Sequence, residues 1–139
     1  MNANKAHLTI AALTIAVAAC AGADRPSKAK PATGSALAET CGWLVHPADR
    51  TYSLIESGTT WSIQKPDDFS SAAGWQGGPE FATDKWIATD GPYGYGCACL
   101  NIIKSVGARM VTRYEGGRAM PLAWCRSEPG LEEPGQPVP

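Results

Sequence analysis

The chain has 139 residues, of which 44% are hydrophobic and 18% are charged, and its formal net charge at pH 7 is −1. Nucleic-acid binding needs lysine and arginine clustered on a basic surface, so this composition argues against a nucleic-acid partner. The length allows one small domain once the two ends are set aside.

Residues 1–19 are predicted to be a signal peptide rather than part of the fold. Lys5 precedes an uncharged run that ends at Ala19 and is too short to cross a bilayer as a helix, which needs about 20 residues. The run ends in Val-Ala-Ala-Cys, which resembles the lipobox of bacterial lipoproteins. This resemblance implies that Cys20 is lipidated and anchors the exported chain to a bacterial membrane, facing the periplasm or the surface. Ordinary cleavage after Ala23, giving a soluble secreted or periplasmic protein, is the alternative.

The segments on either side of the domain are poor in large apolar residues. Residues 20–39 are small, polar and proline-containing, which is typical of a flexible tether. Residues 130–139 are rich in proline and glycine, and we expect a disordered tail. The domain is therefore expected over residues 40–129.

The sequence of the first half of the domain predicts a hairpin followed by a long connection. Residues 51–57 and 58–64 have alternating patterns and meet at a Ser-Gly pair, which predicts two antiparallel strands. Residues 65–84 are rich in glycine, serine and proline, and a connection of this length is often functional. One short helical turn is expected near Phe69 to Ala73.

The second half of the domain contains the remaining strand patterns. Short strands are expected at residues 85–89 and 94–103, and a further one within 108–114. Together these patterns predict a mostly β fold of about six strands. We expect a small antiparallel sheet curled into a barrel or a sandwich, with an α+β arrangement as the alternative.

Four cysteines remain in the exported domain once Cys20 is set aside. They are Cys41, Cys97, Cys99 and Cys125. An even number in an exported domain predicts two disulfides, which add stability to a domain with a small core.

The Cys-x-Cys pair constrains the disulfide pairing. Residues i and i+2 of a strand share a face, so Cys97 and Cys99 are expected to point together into the interior, with Ala98 and Leu100 opposite. A bridge between the two would be strained. One is expected to pair with Cys41 and the other with Cys125, and the choice stays open.

Three stretches together resemble a known family. They are Cys-Gly-Trp (residues 41–43), Tyr-Gly-Tyr-Gly-Cys-Ala-Cys-Leu (residues 93–100) and Pro-Leu-Ala-Trp-Cys-Arg-Ser-Glu-Pro (residues 121–129). This order is similar to that of the small exported bacterial proteins grouped as domain of unknown function 4087. The resemblance covers Thr40 to about Leu131 and implies export, but it implies no activity, fold or catalytic residue.

Metal and enzyme chemistry are the weaker functional interpretations. The four cysteines offer thiolates to a metal, but zinc sites of this kind use two Cys-x-x-Cys pairs, so structural disulfides are favoured and no metal or other cofactor is expected. A lone His46 beside a proline is typical of a turn, not of a catalytic base. Carboxylates around the long connection are the remaining candidates for catalysis. They are Asp67, Asp68, Glu80, Asp84 and Asp90.

The aromatic residues favour a binding role. Trp43, Trp61 and Trp124 lie at positions suited to a core, whereas Trp75 lies in a glycine-rich loop. With Tyr93 and Tyr95 it is predicted to form a surface that binds an envelope protein or a cell-wall glycan. Inhibition of an exogenous cell-wall hydrolase is one concrete version of this non-enzymatic function. In the competing interpretation, Trp75 closes one end of the barrel, and glycines 94 and 96 let a backbone or a ring lie close.

Overall fold

The computed structural model describes residues 36–66 and 71–135, and the predicted signal peptide and Cys20 lie outside these ranges. Six strands form one sheet. They are β1 (Ala38–His46), β2 (Tyr52–Glu56), β3 (Thr59–Gln64), β4 (Trp86–Asp90), β5 (Tyr93–Ser105) and β6 (Met110–Ala119). A 3-10 turn (Thr83–Lys85) precedes β4, and a short helix, α1 (Leu122–Ser127), follows β6. The predicted mostly β fold is confirmed.

Five of the strands close into a ring. β1, β2 and β3 form an antiparallel meander, and β5 returns to pair with β1, which gives the strand order of a Greek key. β6 is antiparallel to β5 and reaches β3 through a parallel pair, Ser62 with Met110. The ring order is thus β1-β2-β3-β6-β5, a small barrel, and β4 lies outside it on the edge of β5.

The end of the long connection fills the gap between β3 and β6. The Ala72 amide donates to the Ile63 carbonyl at 2.8 Å, and the Ala73 amide donates to the Thr112 carbonyl at 3.0 Å. The Tyr114 amide in turn donates to the Ala73 carbonyl at 2.8 Å. Residues 71–73 are therefore bridged to both neighbouring strands, and the prediction of a helical turn over these residues is wrong. The rest of that prediction, at residues 69–70, lies outside the described residues.

Two clusters of buried side chains lie on opposite faces of β5. The barrel interior contains Leu44, Leu54, Trp61, Ile63, Ala72, Ala98, Leu100, Ile102 and Val111. The second core lies outside the barrel and consists of Trp43, Tyr95, Cys97, Cys125 and Leu131. Trp43 and Trp61 are buried as predicted, and Trp124 packs against the second core.

The predicted orientation of the β5 cysteines is wrong. Ala98 and Leu100 point into the barrel, so the alternation of side chains along the strand turns Cys97 and Cys99 outward. Cys97 is nevertheless completely buried, because α1 brings Cys125 over it as part of the second core. Small alanine at position 98 fits the narrow barrel interior, which larger side chains from the other strands already fill.

Both predicted disulfides are present. Cys41 on β1 bonds to Cys99, which lies directly opposite it on β5. Cys97 bonds to Cys125 on α1, with a Cα–Cα distance of 5.8 Å. The two bridges therefore tie the beginning and the end of the domain to the same strand, as the cysteine spacing predicts.

The C-terminal boundary of the domain lies further along than predicted. Leu131 is only 7% exposed and belongs to the second core. Glu133 accepts hydrogen bonds from the Tyr95 hydroxyl at 3.2 Å and from the Arg126 guanidinium at 2.7 Å. Residues 130–135 are thus a packed strap rather than part of a disordered tail, and residues 136–139 of the predicted tail lie outside the described residues. Across residues 36–66 and 71–135, no helix is long and apolar enough to cross a membrane.

Candidate functional site

A continuous series of aromatic rings crosses one end of the barrel. The Trp75 ring lies 5.0 Å from the Tyr114 ring and 5.0 Å from the Tyr52 ring, measured between centroids. Tyr52 stacks on His46 at 3.9 Å, and His46 contacts Tyr93 at 5.0 Å. All five residues are half-buried, so each keeps part of its side chain at the surface. We call this set the aromatic rim.

The closure of the barrel brings the aromatic rim together. His46 is the last residue of β1, Tyr52 the first of β2 and Tyr93 the first of β5. Tyr114 lies on β6, and Trp75 follows the segment that joins β3 to β6. The five rings therefore follow the order of the elements around the barrel. This order differs from the order of the residues in the sequence.

The turn between β1 and β2 fixes the His46 ring. Its Nδ1 lies 2.8 Å from the carbonyl oxygen of Thr51 and donates to it in the corresponding neutral tautomer. The Asp49 carboxylate accepts from the Thr51 hydroxyl at 2.6 Å and from the Thr51 amide at 3.0 Å. These two hydrogen bonds lower the pKa of Asp49 below its ordinary value, with a smaller contribution from His46. A charged carboxylate therefore stands beside the rim.

Two of the rim tyrosines, Tyr52 and Tyr114, have raised pKa values and stay neutral at physiological pH. Burial raises the pKa of Tyr52, with a smaller contribution from the nearby Tyr93, and burial alone raises the pKa of Tyr114. Within the described part of the chain, the hydroxyls of Tyr52, Tyr93 and Tyr114 have no hydrogen-bond partner. They are free to donate to a ligand and to accept from it.

Trp75 contacts both the rim and the barrel interior. Its ring packs against the barrel interior, and its indole Nε1 is buried without a hydrogen-bond acceptor among the described residues. Gly78 lies over the far edge of the ring, where an added Cβ would be 2.7 Å from the ring atom Cη2. The loop thus folds back on its own tryptophan. Trp75 packs against the barrel interior while it also contributes to the rim.

Only two of the three residues predicted for binding lie together. Trp75 and Tyr93 are both in the rim, linked through Tyr52 and His46. Tyr95 is 7% exposed and belongs to the second core, where it meets Trp43 edge-on at 5.5 Å. Residues two apart on a strand share a face, so Tyr93 and Tyr95 start from the same face of β5. Tyr93 lies at the end of the strand, where its ring contacts His46. Tyr95 lies under the C-terminal strap, where its hydroxyl donates to Glu133.

Three members of the rim were not predicted from the sequence as binding residues. Tyr52 and Tyr114 fit the alternation of ordinary strands, and His46 beside Pro47 reads as a turn residue. The available signal was their position, since His46 and Tyr52 flank one short turn and Tyr93 begins a strand. A contact across the barrel cannot be deduced from these positions without the strand order.

The other candidate groups do not assemble into a second site. The sulfurs of Cys41 and Cys99 and a Glu39 oxygen lie within 4.8 Å of one another, but both sulfurs belong to one disulfide. Glu39 also forms a salt bridge with Arg118. Among the predicted carboxylates, Glu80, Asp84 and Asp90 are exposed, while Asp67 and Asp68 lie outside the described residues.

The fold and the rim together define a small, disulfide-stapled β-barrel domain with an aromatic surface at one end. A family model described as a protein of unknown function, DUF4087, matches residues 35–132. The chain belongs to this family, as its three sequence motifs indicate. No curated protein and no solved structure matches the chain.

Proposed function

We propose that this protein is a non-enzymatic binding domain of the bacterial envelope that holds a protein or a cell-wall component on the aromatic rim. The observation that carries the proposal is the unbroken series of five half-buried rings. Tyrosine and tryptophan bury a large contact area at a low cost in conformational entropy, so they are enriched where proteins bind partners. Export and the lipid at Cys20 belong to the same proposal.

The oxidised state of the cysteines favours a binding function of the rim over a function in which thiolates bind a metal. All four cysteines are joined in two disulfides, so none offers a thiolate. A soft metal would have to compete with both bridges, and opening them would remove the covalent links of Cys41 and Cys125 to β5. We retain thiolate metal binding only as the alternative function, for which a reduced protein with four free thiols and bound metal would be required.

A retention assay with a single rim variant tests the proposal. The full chain, purified in its oxidised form, is incubated with purified insoluble cell wall and, separately, with immobilised envelope proteins. We expect at least one fraction to retain the wild-type chain, and Tyr93→Ala to reduce retention about tenfold or more, since loss of one hot-spot ring commonly costs over 1 kcal/mol. Tyr93 suits this test because its ring contacts His46 at the edge of the rim.

Val106→Ala is the matched control. Val106 is 50% exposed and lies in the turn after β5, at the opposite end of that strand from Tyr93. Its retention should equal that of the wild type. Equal retention of the wild type and Tyr93→Ala, or no retention by either fraction, would contradict the proposal.

A further inference from the structure

Given the proposed function of the rim, we infer that its ligand is a proline-rich protein segment in the polyproline II conformation, with a basic residue at the Tyr93 end. Such segments bind in aromatic-lined grooves and lose little conformational entropy, because their helix is already formed. Three properties of the rim select this class of ligand: the tilt of its rings, its free hydroxyls and the charge at one end.

The tilt of the rings makes the rim corrugated rather than flat. The Tyr114 and Trp75 rings meet at 75°, Trp75 and Tyr52 at 63°, and His46 and Tyr93 at 60°. Only Tyr52 and His46 are parallel, at 4°, and together they form one thick ridge. Consecutive ridges and grooves of this kind accept the projecting rings of a polyproline II helix, which repeats every three residues, or about 9 Å.

The same tilts disfavour a glycan. A sugar ring packs its flat apolar face against the face of an aromatic ring, so an extended glycan needs several aromatic faces in similar planes. In the rim, the one parallel pair uses its facing surfaces for its own stacking. The remaining neighbours are turned by 60° or more relative to each other. A proline-rich segment therefore fits the rim better than a sugar chain.

The hydroxyls of the rim match the backbone of such a segment. A polyproline II helix has no internal hydrogen bonds, so its carbonyl oxygens need donors from outside. The hydroxyls of Tyr52, Tyr93 and Tyr114 have no hydrogen-bond partner within the residues described and can donate to these carbonyls. By contrast, the Tyr95 hydroxyl of the second core is already bonded to Glu133.

The charges at the Tyr93 end favour a basic residue in the ligand. Asp90 pairs with Tyr93 across the turn between β4 and β5, so the two side chains lie side by side. Asp49 stands next to His46, close enough for the imidazole to help lower the pKa of that carboxyl. Both aspartates are exposed, and neither forms a salt bridge within the described residues. Arg50 neighbours Asp49 in the chain, so Asp90 gives the clearer test of charge.

Fluorescence anisotropy with defined probes tests the inference. Fluorescein-labelled decaproline is titrated with the full chain in its oxidised form, and a Gly-Ser decapeptide and N-acetylchitohexaose serve as competitors. We expect saturable binding of decaproline, no competition by either competitor, and about tenfold or greater weakening by Tyr93→Ala and by His46→Ala. Val106→Ala should bind as the wild type does. Free-thiol counts of zero and an unchanged near-ultraviolet circular dichroism spectrum show that each variant is folded.

A second pair of probes tests the charge preference. Nonaproline ending in lysine should bind several-fold more tightly than nonaproline ending in glutamate, and Asp90→Asn should reduce that difference. The inference would be overturned if decaproline did not bind saturably, or if the Gly-Ser peptide or chitohexaose competed with it. If envelope material retains the chain through Tyr93 but decaproline does not bind, the ligand class is wrong and the proposed function stands. If neither binds, both fail.

Discussion

Glycines determine how closely the strands around β5 approach one another. An added Cβ on Gly94 would overlap with the carbonyl oxygen of Ile87 on β4. On Gly96 it would lie 2.5 Å from the Phe81 ring and 2.7 Å from the Lys85 carbonyl oxygen. The expectation that glycines 94 and 96 admit a backbone and a ring is thus confirmed. The two glycines of the Tyr-Gly-Tyr-Gly motif are thus explained by the close packing of β4 and Phe81 against β5.

The first prediction concerns Gly94→Ala. Because the obstructing atom belongs to the backbone of β4, the strand has to shift, and we expect a loss of about 1–3 kcal/mol in the free energy of unfolding. Urea denaturation measures the loss. Gly107→Ala is the control, since nothing lies within 4 Å of an added Cβ there. Equal stability of the two variants would show that β4 does not lie as described.

The elements show which parts of the structure the sequence can predict. The β2–β3 hairpin follows from alternation and a Ser-Gly turn, and the two disulfides follow from the number and spacing of the cysteines. The helix α1 was not predicted, because six residues are too few to show a helical period. The extended segment at residues 71–73 was not predicted for a different reason: its partners on β6 are remote in the sequence, and the closed ring brings them next to it.

The same limit applies to the rim. Trp75 and Tyr93 are recognisable as unusual aromatics in glycine-rich surroundings, whereas Tyr95, two residues further along, looks equivalent and is buried on another face. The difference depends on the strap at residues 130–135, which covers Tyr95 and which a proline- and glycine-rich composition does not reveal. Tertiary contacts decide which of two similar residues is available.

The second prediction separates the two disulfides by their burial. Cys97 and Cys125 are both completely buried, whereas Cys41 is half-buried. Since a reductant must reach a sulfur, mild reduction of the folded protein should open the Cys41–Cys99 bridge first. Alkylation followed by peptide mass spectrometry should then label Cys41 and Cys99, with all four cysteines labelled alike in denaturant. Earlier labelling of Cys97 and Cys125 would contradict this order.

The third prediction concerns the pH dependence of the C-terminal strap. Hydrogen bonding from Arg126, assisted by the Tyr95 hydroxyl, lowers the pKa of Glu133 below its ordinary value of 4.5. A carboxyl with a lowered pKa stabilises the folded state above the ordinary pKa, and this contribution is lost as the pH falls through the folded-state pKa. Glu133→Gln should therefore be less stable than the wild type at pH 7, and the difference should shrink at pH 3. Chemical denaturation at both pH values measures it, and a constant difference would contradict the assignment.

In the molecule as a whole, β1 separates the His46 end of the aromatic rim from the start of the domain. The chain enters the domain at Ala38, the first residue of β1, and His46 of the rim is the last residue of the same strand. At about 3.3 Å per residue, the strand places them roughly 26 Å apart. His46 therefore lies far from the point where the chain enters the domain, whereas Tyr114 lies opposite Ile102, which is itself paired with Ala38.

The fourth prediction tests the anchor. Intact mass measurement of the exported chain should find a mature protein that begins at a lipid-modified Cys20, and Cys20→Ser should release the chain from the membrane fraction. Because Cys20 is not part of the rim, Cys20→Ser should bind the rim ligand as tightly as the wild type. A mature protein that begins at Asp24 without lipid would show that ordinary signal cleavage operates instead.

The most direct test of the central claim, that the aromatic rim is the ligand-binding surface, is a nuclear magnetic resonance titration of the isotope-labelled chain with decaproline. We expect the largest shifts at His46, Tyr52, Trp75, Tyr93 and Tyr114, while the resonances of the second core and the C-terminal strap keep their positions. Shifts concentrated instead along the cleft between Ile55, Gly58 and residues 130–135 would contradict it, because that cleft contains no rim residue.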